Sequence, residues 1–289
     1  MEHLEHEQRM NFSSDIDTQH TRGHDLPWPS TMNAEESIDL NFYKKRLLRM
    51  HYESRVGHVG GNFSAIDSMI IIFKKFLNQG DDFILSKGHS AGALYIALWS
   101  RGQLSDHDLS TFHKDDTKLP GHPPAKGLES VLFSTGSLGH GLSLAAGAAL
   151  ANRLRSTSSR VFCFMSDGEW QEGSTWEALI FACHHKLNNL TVLIDHNGLQ
   201  GFGSTCSVAS MDPLELKLAG FEIDLSVVDG HVPQDIESAL HHKSTDKVRV
   251  IILKTTKANG IPSLADKMES HYLPLSKEQY ESAMLELDQ

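Results

Sequence analysis

The stretch that most constrains the fold runs from Val161 to Gln200. Val161 to Met165 is an apolar run of strand length, stopped by the turn signal Ser166-Asp167-Gly168. Trp176, Leu179, Ile180, Cys183 and Leu187 then recur at helical spacing. Leu190 to Ile194 is a second branched apolar run, ended by Asp195-His196-Asn197-Gly198. Strand, helix and strand in this order make a βαβ unit with two parallel strands. Ligands of open parallel sheets sit outside the carboxyl ends of the strands. Asp167 and Asn197 each fall just past such an end, so adjacent strands would bring both to one rim.

An acid and an amide at one rim suit a hard divalent cation. Mg²⁺ takes six oxygens at about 2.0–2.1 Å and usually draws on one or two carboxylates plus phosphate oxygens. Asp167 would give a carboxylate oxygen, Asn197 its amide oxygen and Leu199 its main-chain carbonyl. Gly168 would let a diphosphate approach its N–H beside a helix N-terminus, where anions are favoured. An Asp and an Asn are also ordinary turn residues, so this text alone leaves a plain βαβ open.

The rest of the chain repeats the alternation. Helical patterns precede Gly57, follow Ser64 and run from Pro233 to His241, and a last helix spans about Ser276 to Leu287. Short strands are expected at Asp82–Leu85, Phe221–Val228 and Val248–Leu253. Strands alternating with helices predict an α/β fold, a doubly wound, mainly parallel sheet flanked by helices. Ser37 is expected to cap the first helix, and Ser64/Asp67, Ser105/Asp108 and Ser174/Glu177 have the spacing of capping boxes. The small residues Ala145 to Ala151 read as a tight packing or subunit surface.

Charge divides the 289 residues into two regions, a polar extension over 1–36 and a domain over 37–289. The extension holds eight acids and two bases, so it carries −6 of the formal −11 and leaves the body mildly acidic. That balance argues against nucleic-acid or anionic-membrane partners. The three cysteines lack paired spacing, and no apolar run approaches a bilayer span, so a cytoplasmic protein is expected.

Four histidines stand in Gly- or Pro-shaped turns: His58, His89, His122 and His271. With them come Gly57-His58-Val59-Gly60, Ser86-Lys87-Gly88-His89, Leu119-Pro120-Gly121-His122-Pro123 and Ser134-Thr135-Gly136-Ser137-Leu138-Gly139. Together with Asp167-Gly168, Glu172-Gly173, Trp176-Glu177-Ala178 and Asn197, these texts resemble the N-terminal half of transketolases over about residues 37–289. The resemblance implies a thiamin diphosphate-binding fold of the diphosphate-binding (PP) type, with Mg²⁺ on Asp167, Asn197 and Leu199. It implies cofactor contacts from His89, Gly139, Gly168, Glu169, Asn197 and His271. It implies that His58, His89, His122 and His271 surround the reacting carbons, and that Glu172 and Glu177 are interface acids.

The implied reaction moves a two-carbon unit from a ketose or ketose phosphate to an aldehyde or aldose, with a histidine near its ordinary pKa of ~6.5 shuttling protons. Two departures stand out. Ser166 replaces the first Gly of the usual Gly-Asp-Gly text, and His140 stands where the family commonly carries Gln. The family's pyrimidine-binding domain has no counterpart in the chain. A separate C-terminal subunit is therefore expected to complete the site, in an α₂β₂ heterotetramer. Two rivals stay open, a thiamin-dependent subunit using a 2-oxo acid such as pyruvate and a non-catalytic regulatory subunit.

Overall fold

The structure is a computed structural model that describes residues 38–242, 244–265, 267 and 272–288. The extension over 1–36, the expected cap Ser37, and Glu269 and His271 lie outside the described residues.

Seven strands and ten helices are described: β1 (Asp82–Leu85), β2 (Val161–Ser166), β3 (Leu190–His196), β4 (Leu199–Gln200), β5 (Gly203–Ser204), β6 (Ile223–Asp229) and β7 (Val248–Lys254). The helices are α1 (Leu40–Ser54), α2 (Val59–Ile71), α3 (Ala91–Ser100), α4 (Asp106–Ser110), α5 (Gly141–Leu154), α6 (Gly173–His184), α7 (Thr205–Ala209), α8 (Leu214–Leu218), α9 (Pro233–His241) and α10 (Lys277–Glu286). Five strands form one sheet in the order β1-β2-β3-β7-β6, and every pairing in it is parallel. The strands β4 and β5 form a small antiparallel hairpin.

Strand periodicity explains why the central strands read as unbroken apolar runs. Successive side chains point to opposite faces. Phe162, Phe164, Leu193, Ile251 and Leu253 enter one core with α1, α2 and α3. Val161, Cys163, Met165, Val192, Ile194, Val250 and Ile252 enter the other with α5 and α6. Both faces are covered, as a parallel sheet requires.

Helix starts differ from the expectation in three places. Asp39 caps α1, accepting from the Phe42 N–H at 3.2 Å. α2 begins at Val59, so Ser64 lies inside it, and its hydroxyl donates to Asp195 at 2.6 Å instead of capping. α6 begins at Gly173, and the Ser174 hydroxyl donates to the Gly139 carbonyl. The Ser105/Asp108 box on α4 is present as expected.

Candidate active site at the strand tips

Register builds the predicted cation corner. Ser166 pairs with Asp195, so β2 and β3 end side by side and their following turns touch. The Gly198 N–H donates to the Asp167 carboxylate at 2.6 Å, and the Gly168 N–H donates to its other oxygen at 2.8 Å. The Asn197 amide oxygen accepts from the Leu199 N–H at 3.1 Å. Thus Asp167, Asn197 and Leu199 come from two turns that already contact each other. Burial and then the neighbouring Asp195 push the Asp167 carboxyl up. Among the described residues no cluster of three or more His, Cys, Asp or Glu side chains is grouped to hold a metal. This corner has one such side chain beside an amide and a carbonyl, the donor set of a cation that shares its shell with phosphate oxygens.

Behind the corner lies a buried ion pair that the sequence does not announce. Lys87 and Asp195 are both almost fully buried and bonded to each other. Lys87 also donates to the Gly61 carbonyl at 2.8 Å, while Asp195 accepts from Ser64 and Thr255. Burial raises the Asp195 carboxyl, yet Lys87 and these hydrogen bonds outweigh it and hold it below the usual range. The pair ties the tip of β1 to the tip of β3. A buried charge of either sign needs such a partner. A second lysine, Lys257, donates to the Leu199 carbonyl at 3.1 Å. Nothing in the spacing of Lys87, Asp195 and Lys257 signals this arrangement, because the contacts span 26 to 131 positions of chain.

Three of the four expected histidines converge above these tips. The His58 and His89 rings lie 5.9 Å apart, centroid to centroid. The His122 ring packs against Gly136, where an added Cβ would sit 3.0 Å from it. Gly136 in turn backs onto Gly88, next to His89; a Cβ on Gly88 would meet the Gly136 nitrogen at 2.7 Å. Burial first, then the nearby His122, Lys257 and Lys87, pushes the His58 imidazole below its ordinary value. Burial and then His113 do the same for His122. Both shifts favour the neutral imidazole, the form that acts as a base.

The histidine turn is held in an uncommon conformation. His58 has φ 62°, a left-handed backbone costly for a residue with a Cβ. Asn62 fastens it: the amide donates to the His58 carbonyl at 2.9 Å and to the His89 carbonyl at 3.2 Å. Its oxygen accepts from the Ala93 N–H at 2.7 Å. One buried side chain thus pins the backbones of two histidines. His51 donates from Nδ1 to the Gly57 carbonyl at 3.0 Å, and complete burial drives its pKa down to about 4.

Two expected cofactor contacts are placed differently. Glu169 is 0% exposed. Its carboxylate accepts from the Ser166 N–H and hydroxyl, the Ser86 hydroxyl and the Gly139 N–H. Four donors match the roughly four acceptor positions of a carboxylate, so no oxygen is left for a ligand. Gly139 sends its N–H to Glu169 and its carbonyl to Ser174. Both residues brace the site from behind. Gly168 remains at the rim, where an added Cβ would meet the Gln200 side chain at 2.9 Å.

Residues 44–287 match the transketolase, thiamine diphosphate binding domain family. The chain belongs to the transketolase family. A 6-deoxy-6-sulfo-D-fructose transketolase subunit SqwG from Clostridium sp. (strain MSTE9) is 33% identical over 270 residues, covering 88% of this chain and 98% of that one. An apulose-4-phosphate transketolase subunit from Actinobacillus succinogenes is 33% identical, covering 80% of this chain and 87% of that one. Human transketolase is 35% identical over 242 residues, which is 38% of its own length. Transketolase from Campylobacter jejuni superposes with a TM-score of 0.78 at 26% identity, over 88% of this chain and 43% of that one. The matched domain makes thiamin diphosphate the cofactor and makes the chain part of a thiamin diphosphate-dependent transferase. The transketolase names of these relatives do not favour the 2-oxo acid or regulatory readings.

Two surfaces of this transketolase chain stay open. Leu154 on α5 and Ile180 on α6 are 78% and 57% exposed, and Gly147 of α5 faces open space. Glu172 and Glu177, the expected interface acids, are exposed at the start of α6 and one turn along it. Around the cofactor rim, Phe202 at the β4–β5 tip is 90% exposed, and the Tyr272 hydroxyl donates to the adjoining Gly201 carbonyl. Among the described residues no helix is long and apolar enough to cross a membrane.

Proposed function

We infer that this chain is the cofactor-binding subunit of a two-chain transketolase. It moves a two-carbon ketol unit from a ketose to an aldehyde or aldose acceptor. The observation that carries the reading is the contact of Asp167 with the Asn197-Gly198 turn, where β2 and β3 end side by side, together with the grouping of His58, His89 and His122. Relatives named as subunits are matched over 87–98% of their length, whereas human transketolase is matched over 38%. That contrast supports a partner polypeptide carrying the pyrimidine-binding half.

The residues present fit the cofactor. Asp167, Asn197 and the Leu199 carbonyl would hold Mg²⁺, and the diphosphate would complete its shell. The Leu199 carbonyl accepts from Lys257, so the lysine shares or yields it as a cation binds and has the diphosphate to turn to. Gly168, whose N–H donates to Asp167, would let the phosphates come close because it carries no side chain, and His89 would contact them from the tip of β1. Bound thiamin diphosphate supplies the carbon nucleophile and electron sink needed to break a ketose carbon–carbon bond. His58, partly buried, and His122, exposed, take a proton from the donor hydroxyl and return one to the product. His271 is proposed as a fourth contact of cofactor and sugar.

The assembly we propose is α₂β₂. Two copies of this chain meet through the open α5–α6 face, which brings Glu172 and Glu177 into the interface, since large exposed apolar patches mark such surfaces. The pyrimidine-domain partner covers the cofactor rim near Phe202. Two relatives are named for ketoses bearing a sulfo or phosphate group, which favours an anionic ketose as donor. The test is to copurify the chain with its partner and offer a ketose panel and pyruvate. Ketol transfer from a ketose, with no CO₂ from pyruvate, is expected. Full activity of the isolated chain, or CO₂ release from pyruvate, contradicts the reading.

A further inference from the structure

Three turns frame the proposed cofactor cradle, and they come from distant parts of the chain. Ser86–His89 follows β1, Gly136–Gly139 precedes α5, and Ser166–Gly168 ends β2. Among the described residues no main-chain hydrogen bond joins the turn before α5 to either of the other two. One side chain reaches all of them. The Glu169 carboxylate accepts from the Ser86 hydroxyl and from the Gly139 N–H at 3.1 Å on one oxygen. On the other it accepts from the Ser166 N–H at 2.8 Å and the Ser166 hydroxyl at 3.1 Å. The Glu169 carbonyl also accepts from the Thr175 hydroxyl at 2.7 Å, which fixes the first turn of α6 to the same point.

We propose that Glu169 is a positioning residue, a buried carboxylate that gathers the three turns and so sets the width of the cradle between His89, Gly139 and Asp167. The proposal rests on the cofactor-binding reading above. It also accounts for the first departure in the sequence. Ser166, in place of the usual Gly, adds its hydroxyl as a fourth donor to the three a glycine would leave, so the serine and the glutamate act as a pair. Close approach elsewhere lets the turns reach the carboxylate. A Cβ on Gly141 would meet the Ser86 Cβ at 2.2 Å, and Gly139 has φ 80° with Glu172 packed against it. A carboxylate buried this completely persists because its neighbours satisfy it. Hydrogen bonds to a charged group are the strong ones, so removing it loosens all three turns together.

The test compares Glu169→Gln with Ser86→Ala in the full chain, by amide hydrogen exchange. The glutamine amide keeps one acceptor oxygen where the carboxylate has two, so it can serve the Ser86 and Gly139 donors or the Ser166 donors but not both. Exchange should speed up in 134–141 together with 86–90, or in 166–168, while β3 and β7 stay protected. Ser86→Ala removes only the hydroxyl and should loosen 86–90 while leaving the Gly139 amide slow. In the complex with the partner, Glu169→Gln should weaken Mg²⁺-dependent thiamin diphosphate binding about tenfold or more, with substrate KM changed by less than about twofold. Unchanged exchange in both variants, or a uniform rise across the sheet, overturns the proposal. If Glu169→Gln does not fold, Ser86→Ala alone decides between the local pattern and the uniform one. A wild-type complex that binds no thiamin diphosphate sinks the cofactor reading instead, and leaves the exchange result standing on its own.

Discussion

The cation corner and the histidine cluster lie at the same strand tips but are built in opposite ways. Asp167 and Asn197 follow directly from paired strands, and the register Ser166–Asp195 alone brings their turns into contact. The histidines come from three separate turns with no shared register. They are held by side chains: Asn62 bridges His58 and His89, His51 holds Gly57, and a Gly136–Gly88 contact links the His122 and His89 turns. Strand register places the first region, with Lys87–Asp195 and Glu169 bracing it, whereas buried polar side chains without shared register place the second. The second should therefore be the more fragile to single substitutions that touch no ligand.

The sharpest way to break this contrast is Asn62→Leu. It removes three side-chain hydrogen bonds, so the His89 carbonyl loses its amide donor while the His58 carbonyl keeps only the main-chain N–H of position 62. In the assembled enzyme kcat should fall about a hundredfold, the effect of misplacing reacting groups by about 1 Å. Chemical denaturation should show a loss of about 2–4 kcal/mol. The Mg²⁺-dependent affinity for cofactor should fall by less, about tenfold or under, because Asn62 also holds the His89 carbonyl. Equal loss of affinity and kcat would show that the two regions are not built independently.

A smaller effect, read through pH, sharpens the same contrast. Complete burial lowers His51 to about 4 from its ordinary 6.5. The unfolded chain then binds more protons between those values, so stability rises with pH across that window. The contribution is fully present above pH 6.5 and is lost as the pH falls toward 4, about 3 kcal/mol in all. Denaturation of the chain at a series of pH values should show that slope, and His51→Gln should flatten it. A slope unaltered in the variant would assign it to other groups.

How far the sequence is legible follows the same division. The parallel sheet, the strand ends to within one or two residues (Met165 and Ile194 expected, Ser166 and His196 found), and the meeting of Asp167 with the Asn197 turn are readable, because strand periodicity and connection rules are local. The Ser105/Asp108 box is readable for the same reason. The Ser64/Asp67 pattern has the same spacing and misleads. Ser64 serves Asp195, 131 positions away, and Asp67 pairs with Lys44 at 2.9 Å and with His231 at 3.2 Å. Pairings of that range leave no periodic trace. Glu169 reads as a cofactor contact because it stands within the motif, yet its side chain turns inward, a direction that spacing does not encode. Lys257 and Asn62 escape notice for the same cause. A single lysine in a turn, or an asparagine in the first turn of a helix, carries no signal until the fold supplies its partners.

The most direct test of the central claim is calorimetry of thiamin diphosphate binding to the chain–partner complex, with and without Mg²⁺, in wild type and Asp167→Ala. The account predicts binding that requires Mg²⁺ in the wild type and is weakened on the order of a hundredfold or more in the variant, while its circular dichroism spectrum is unchanged. Binding that is indifferent to Mg²⁺, or that survives intact in Asp167→Ala, would contradict it.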